Sequence, residues 1–117
     1  MKKTLANEMA EIREENRARL LESQIEWNRR LAAIGQDRTR ARGALDPDFS
    51  EQAVQRENDP ALDALDARGR EALAAIRAAL SRIEAGNYGW CVACGSPIAV
   101  SRLRAEPEAD RCLTCST

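Results

Sequence analysis

Histidine is absent from this chain of 117 residues, and Phe, Trp and Tyr together make up only 3% of it. Without histidine a mixed Cys/His metal site is excluded, and no nucleophile–base pair is in evidence. The scarcity of aromatics, set against 32% charged residues, excludes a thick globular core and matches the composition of long solvent-exposed helices. No apolar run is long enough to span a bilayer. Met1-Lys2-Lys3 opens the chain with positive charge but no apolar stretch follows, so a secretory signal is not expected and a cytoplasmic location is. A formal net charge of −1 leaves no global basic field to draw the chain to nucleic acid or anionic lipid. There is no glycine-rich phosphate loop, and an enzyme is not expected.

What is present divides into helix and cysteine. From about Lys3 to Gly43 there is no proline and a single interior glycine, Gly35. Leu5, Met9, Ile12, Leu20, Leu21, Ile25, Trp27, Leu31 and Ile34 recur at helical spacing, although the polar run "REENR" near Asn16 interrupts the stripe. At ~1.5 Å per residue, about forty residues make a rod on the order of 60 Å long. Gly43 and Pro47 in "RGALDPDFSE" break the pattern. Beyond them Leu62, Leu65, Gly69, Ala72, Ile76, Ala79 and Ile83 step by threes and fours, with Leu73 and Leu80 widening the seam. Asp59 before Pro60 reads as an N-cap with proline at the first helical position. In the alternative the helix begins near Asp48 and Pro60 kinks it. Gly86 ends it.

Two such helices joined by a turn predict a mostly α fold, a long antiparallel coiled-coil hairpin over residues 1–86 with its tip near 44–52. Small seam residues on the second helix (Gly69, Ala72, Ala79) permit close approach. Residues 87–117 then form a small C-terminal module that buries too little to stand without another source of stability.

That source lies in the only four cysteines, Cys91, Cys94, Cys112 and Cys115, spaced Cys-x2-Cys-x17-Cys-x2-Cys. Two matched pairs at this spacing point to one structural zinc ion with closed tetrahedral coordination. Gly95 after Cys94 suits the tight turn of a metal knuckle. A redox dithiol is the competing reading, but the thioredoxin type uses one pair in a strand–helix context. Catalytic zinc needs an open position and a general base, and the sequence offers neither. Arg102, Arg104 and Arg111 are offset by Glu106, Glu108 and Asp110, so DNA binding by the module is not expected.

The stretch "NYGWCVACGSPIAVSRLRAEPEADRCLTC" has a Tyr-Gly-aromatic-Cys entry, Cys-Gly after the first knuckle, Pro97-Ile98, Arg102-Leu103 with Ala105 and Pro107, and a closing Cys-x-x-Cys. With these features it resembles the four-cysteine zinc finger of the DksA/TraR family. "RENDPALDAL" and "IRAALSRIEAGNYG" resemble the second helix of its short members. The resemblance covers roughly residues 44–117; the first helix matches only in amphipathic character and length.

The resemblance implies a bacterial transcription regulator that binds RNA polymerase through the secondary channel as a monomer. The hairpin tip would then modulate initiation. The family's tip carries an acid, a second acid three positions on and an alanine two beyond; Asp48, Glu51 and Ala53 stand at those places. Glu51 replaces the shorter aspartate of the best-known member. Its extra methylene moves the carboxylate by about 1.5 Å, enough to matter at a constrained site. The basic residues used there for guanosine tetraphosphate correspond to Glu106, Ser116 and Ala75, so dependence on that alarmone is not expected. Nor is the C-terminal helix of the longer members, since the sequence stops two residues after Cys115. Asp48-x-x-Glu51 is equally a capping-box spacing, and a cap can also be an exposed tip. Between Leu45 and Asp66, seven acidic residues stand against one basic residue, Arg56, which suits a basic partner surface. The alternative is a structural or adaptor coiled coil, clamped by zinc, that binds another helical partner.

Overall fold

The structure, a computed structural model, describes residues 4–43 and 60–116, with side chains described over 4–35 and 60–116. Four helices follow one another: α1 (Leu5–Gly43), α2 (Pro60–Ala85), α3 (Val100–Ala105) and α4 (Leu113–Ser116). Among the described residues there is no strand beyond an isolated antiparallel bridge between Trp90 and Pro97. The expected tip, with Asp48, Glu51 and Ala53, lies outside the described residues, as does Asp59.

The helix ends have local causes. Thr4 caps α1: its Oγ1 accepts the amide of Asn7 at 3.1 Å, which satisfies one donor of the first turn. Pro60 is the first described residue of α2. At the other end, Asn87 N–H donates to Arg82 O (3.0 Å) and Gly86 N–H to Ile83 O (3.2 Å). With Gly86 at φ +82°, these two bonds are a Schellman stop.

The chain forms two compact units, residues 1–24 with 74–117, and residues 25–73. The first half of α1 thus shares a unit with the end of α2, and its second half with the start of α2. In the 25–73 unit, Ile34 and Leu73 are buried. A Cβ placed on Gly69 would stand 2.8 Å from Leu31 Cδ2 and 3.1 Å from Trp27 Cε3, so glycine here allows the α2 backbone to lie against α1. Arg30 sits over the Trp27 ring, 5.0 Å from its centroid, and also pairs with Glu26 one turn earlier.

In the other unit, Ile12 and Leu20 of α1, Ile76 and Ala79 of α2, and Tyr88, Ile98 and Leu103 of the C-terminal module form the core. Two expectations about the seams are corrected here. Leu65, expected in the seam, is exposed, whereas Leu73, which widens the seam as expected, is buried. Leu73 is the more deeply buried of the neighbouring pair, with Ala72 half-buried, which hides more apolar area. On α1, Leu5, Leu21 and Ile25 are exposed, whereas Asn16, expected to interrupt the stripe, is fully buried. Met9, Ile12, Asn16 and Leu20 form one continuous buried or half-buried line.

Candidate metal centre

The first knuckle is a tight backbone loop. Cys91 N–H donates to Ser96 O (2.7 Å), Gly95 N–H returns to Cys91 O (2.9 Å), and Ile98 N–H donates to Gly89 O (2.8 Å). Gly95 takes φ +77°, a value that suits glycine and closes the turn expected after Cys94. The second knuckle opens α4: the amides of Cys115 and Ser116 both donate to Cys112 O, at 3.1 and 2.9 Å. Val92 N–H to Asp110 O (2.9 Å) joins the knuckles, and Arg102 Nε holds Arg111 O at 3.0 Å. Between them α3 turns Leu103, 0% exposed, into the core, so the apolar centre fixes the distance between the cysteine pairs.

The outcome is a four-sulfur cluster. The Sγ atoms of Cys91, Cys94, Cys112 and Cys115 all lie within 4.8 Å of one another, and Cys94 and Cys112 are 3.7 Å apart. A regular tetrahedron with metal–sulfur bonds of ~2.3 Å places its sulfurs about 3.8 Å apart. The geometry therefore fits one zinc ion with no coordination position to spare. Cys91 is buried, Cys112 and Cys115 are half-buried, and Cys94 is exposed.

Electrostatics support the same reading. The backbone amide of Cys112, then those of Cys94 and Ala93, hold the Cys91 thiol down at about 6. The hydroxyl and amide of Ser96 lower that of Cys94. Cys115 is pushed up to about 12, first by Cys112 and then by the sulfurs of Cys94 and Cys91. Amide donors are thus aimed at sulfur, but clustered sulfurs resist becoming anions together, and a divalent cation removes that resistance. One structural zinc ion satisfies the whole set.

Sequence reasoning missed what lies beneath the finger. The Nδ2 of Asn16 donates to Tyr88 Oη and to Leu103 O, both at 2.8 Å. Tyr88 Oη in turn donates to Pro107 O at 2.8 Å. Arg19 Nη1 reaches Asn16 Oδ1 (3.1 Å) and Arg104 O (2.7 Å). Burial raises the Tyr88 phenol above its usual value, the Asn16 hydrogen bond partly opposing it, so the hydroxyl stays a donor at neutral pH. The available signal was a single polar residue placed one turn from Ile12 and one turn from Leu20.

Comparison with known proteins gives two family matches. Residues 86–117 match the prokaryotic dksA/traR C4-type zinc finger. Residues 16–83 match the DnaK suppressor protein-like N-terminal domain. Among curated proteins, the RNA polymerase-binding transcription factor DksA of Haemophilus influenzae is 38% identical over 50 residues, covering 43% of this chain and 34% of the relative. Its namesake in Escherichia coli K12 is 38% identical over 50 residues, with 33% of the relative covered. These matches thus span about a third of the curated relatives' length. Among solved structures, transcription factor DksA2 of Pseudomonas aeruginosa superposes with a TM-score of 0.78 at 24% identity, over 98% of this chain and 88% of that one. The DnaK suppressor protein of Agrobacterium tumefaciens C58 gives a TM-score of 0.59 at 37% identity, over 88% and 89%.

Proposed function

We propose a function from one premise: the chain belongs to the DksA/TraR family of four-cysteine zinc-finger proteins. It is a non-enzymatic transcription factor that binds RNA polymerase in the bacterial cytoplasm. Cys91, Cys94, Cys112 and Cys115 are the ligands of its zinc ion. The hairpin over residues 1–86 is the effector part, and the finger over 87–117 clamps its base. The observation that carries this reading is the joint match of helical region and finger, residues 16–83 and 86–117, in one chain. The relatives' own designation, RNA polymerase-binding transcription factor, supports the partner. No helix among the described residues is long and apolar enough to cross a membrane.

The finer reading is that the hairpin enters the secondary channel of polymerase as a monomer, without binding DNA. Asp48, Glu51 and Ala53 at the tip then modulate initiation. Seven acids against one base between Leu45 and Asp66 suit a cationic or metal-bearing surface deep in a channel. Guanosine tetraphosphate plays no part: Glu106 is an exposed acid paired with Arg102 at 3.8 Å, and neither Ser116 nor Ala75 supplies charge. Asp48→Lys tests the tip. The expected result is unchanged folding and polymerase binding with altered transcription from responsive promoters; wild-type transcription sinks the tip mechanism.

A second reading, an adaptor that pairs with another helix, draws on the exposed apolar side chains Leu21 and Ile25 of α1 and Leu65 of α2. Size-exclusion chromatography with light scattering separates the two: a stable dimer favours the adaptor and a monomer the regulator.

A further inference from the structure

The buried polar cluster beneath the finger supplies no ligand to the four-sulfur site, and the element that uses it is α1. Asn16 is 0% exposed yet has its amide fully employed. Both Nδ2 hydrogens are taken, by Tyr88 Oη and Leu103 O, and its Oδ1 accepts from Arg19. The finger groups that α1 engages through this pair are Tyr88 Oη, Leu103 O and Arg104 O. Pro107 O accepts a hydrogen bond from the Tyr88 hydroxyl. All belong to residues 88–107, the stretch that starts just before Cys91 and ends just before Cys112. The backbone that gathers them runs through the first knuckle, where Cys91 N–H donates to Ser96 O and Ile98 N–H to Gly89 O, and Val92 N–H to Asp110 O ties it to the second.

We propose that Asn16 is a positioning residue that locks α1 onto the metal-closed finger in a single register, so that metal retention and helix docking are one coupled equilibrium. Register selection follows from the helix itself. A slip of one residue rotates α1 by about 100° and carries Asn16 out of the site. A slip of one turn brings Ile12 or Leu20 against Tyr88 Oη and Leu103 O, leaving buried acceptors without a donor. Only one register satisfies every group. A lone buried asparagine that fixes register is the best-attested use of such residues in helical assemblies.

Coupling follows from the same hydrogen bonds. If closure of the finger gathers the acceptors that Asn16 needs, Asn16 must stabilise closure by an equal amount, because linkage between two equilibria is reciprocal. A residue that touches no sulfur then tunes how tightly the sulfurs hold zinc. This holds whether or not the chain binds polymerase.

The test is zinc retention by the full-length, zinc-loaded protein against a chromophoric chelator, for Asn16→Ala, Tyr88→Phe and the double variant. Each single change is expected to weaken zinc retention on the order of ten-fold, the scale set by leaving one buried group unpaired. The double variant should fall short of the product of the two by about three-fold or more, since both remove the same hydrogen bond. Amides of residues 5–24 should also exchange faster in both single variants. Ile34→Ala, a core truncation in the 25–73 unit, should leave zinc retention within about two-fold. Should Asn16→Ala fail to fold, Tyr88→Phe, which deletes one oxygen and keeps the ring, still decides. Unchanged retention in Tyr88→Phe, multiplicative effects in the double variant, or an equal loss in Ile34→Ala would overturn the proposal.

Discussion

Gly89 stands at the junction between helix and finger with φ +91°, and its hydrogen atoms face Met9 of α1. A methyl group there would collide with Met9 Cε and stand 3.5 Å from Leu103 Cδ1. Gly89→Ala therefore carries two separable costs. A left-handed backbone with a Cβ costs about 1–2 kcal/mol, and forcing Met9 off its packed rotamer adds about 0.5–1.5 kcal/mol. The sum is roughly 1.5–3.5 kcal/mol, a fall in Tm on the order of 10 °C for a domain of this size. Gly86 provides the internal standard. Its φ is +82°, almost the same, and nothing lies within 4 Å of a Cβ placed on it. Gly86→Ala should thus cost only the backbone part, about 1–2 kcal/mol. Urea unfolding at saturating zinc measures both, and repetition in a Met9→Ala background removes the collision. There Gly89→Ala should cost no more than Gly86→Ala. Equal costs in the wild-type background, or no relief from Met9→Ala, would refute the packing of α1 on the finger at this point.

Other outcomes follow from the same core and cluster. Leu103→Ala empties a fully buried site and should cost about 2–5 kcal/mol, read by the same urea titration; a cost within about 0.5 kcal/mol, the range of surface substitutions, would mean that α3 is not part of the core. Chelation of zinc should unfold the finger reversibly. Structural zinc contributes an apparent ~10–16 kcal/mol, as large as the whole ~5–15 kcal/mol that holds a typical domain. An unchanged melting curve after metal removal contradicts that dependence. The single tyrosine permits a clean alkaline titration by ultraviolet absorbance. Its folded-state pKa lies above the ordinary 10.0. The stabilisation tied to neutral Tyr88 is therefore fully present below pH 10 and is lost as pH rises through the folded-state value. A tyrosinate step at or below pH 10 in the folded protein would show that the hydroxyl is not buried on Asn16.

The cysteine spacing carried the metal centre because metal chemistry leaves few alternatives: four thiols in two matched pairs have one closed solution, and the structure brings them within 4.8 Å of one another. The helices were legible for a similar reason, since forty proline-free residues with apolar recurrence have little else to form. The facing of the seams was harder to read. Periodicity alone does not choose between Ala72 and Leu73, and the choice falls to side-chain volume, which acts only once the partner helix is present. Asn16 shows the deeper limit. A polar residue in an apolar stripe reads as an interruption until its acceptors are known, and Leu103 O is a backbone atom 87 residues away. No residue code announces a carbonyl. Gly69 was read correctly because its meaning, close approach of two backbones, belongs to the glycine itself.

The measurement that bears most directly on the central claim is binding of the zinc-loaded protein to its cognate core RNA polymerase, with a photocrosslinker at Ser50. The account predicts saturable binding and crosslinks that line the secondary channel, both lost when zinc is stripped. No binding at high protein concentration, or crosslinks scattered over the polymerase surface, would contradict it and leave a zinc-stapled helical hairpin with a different partner.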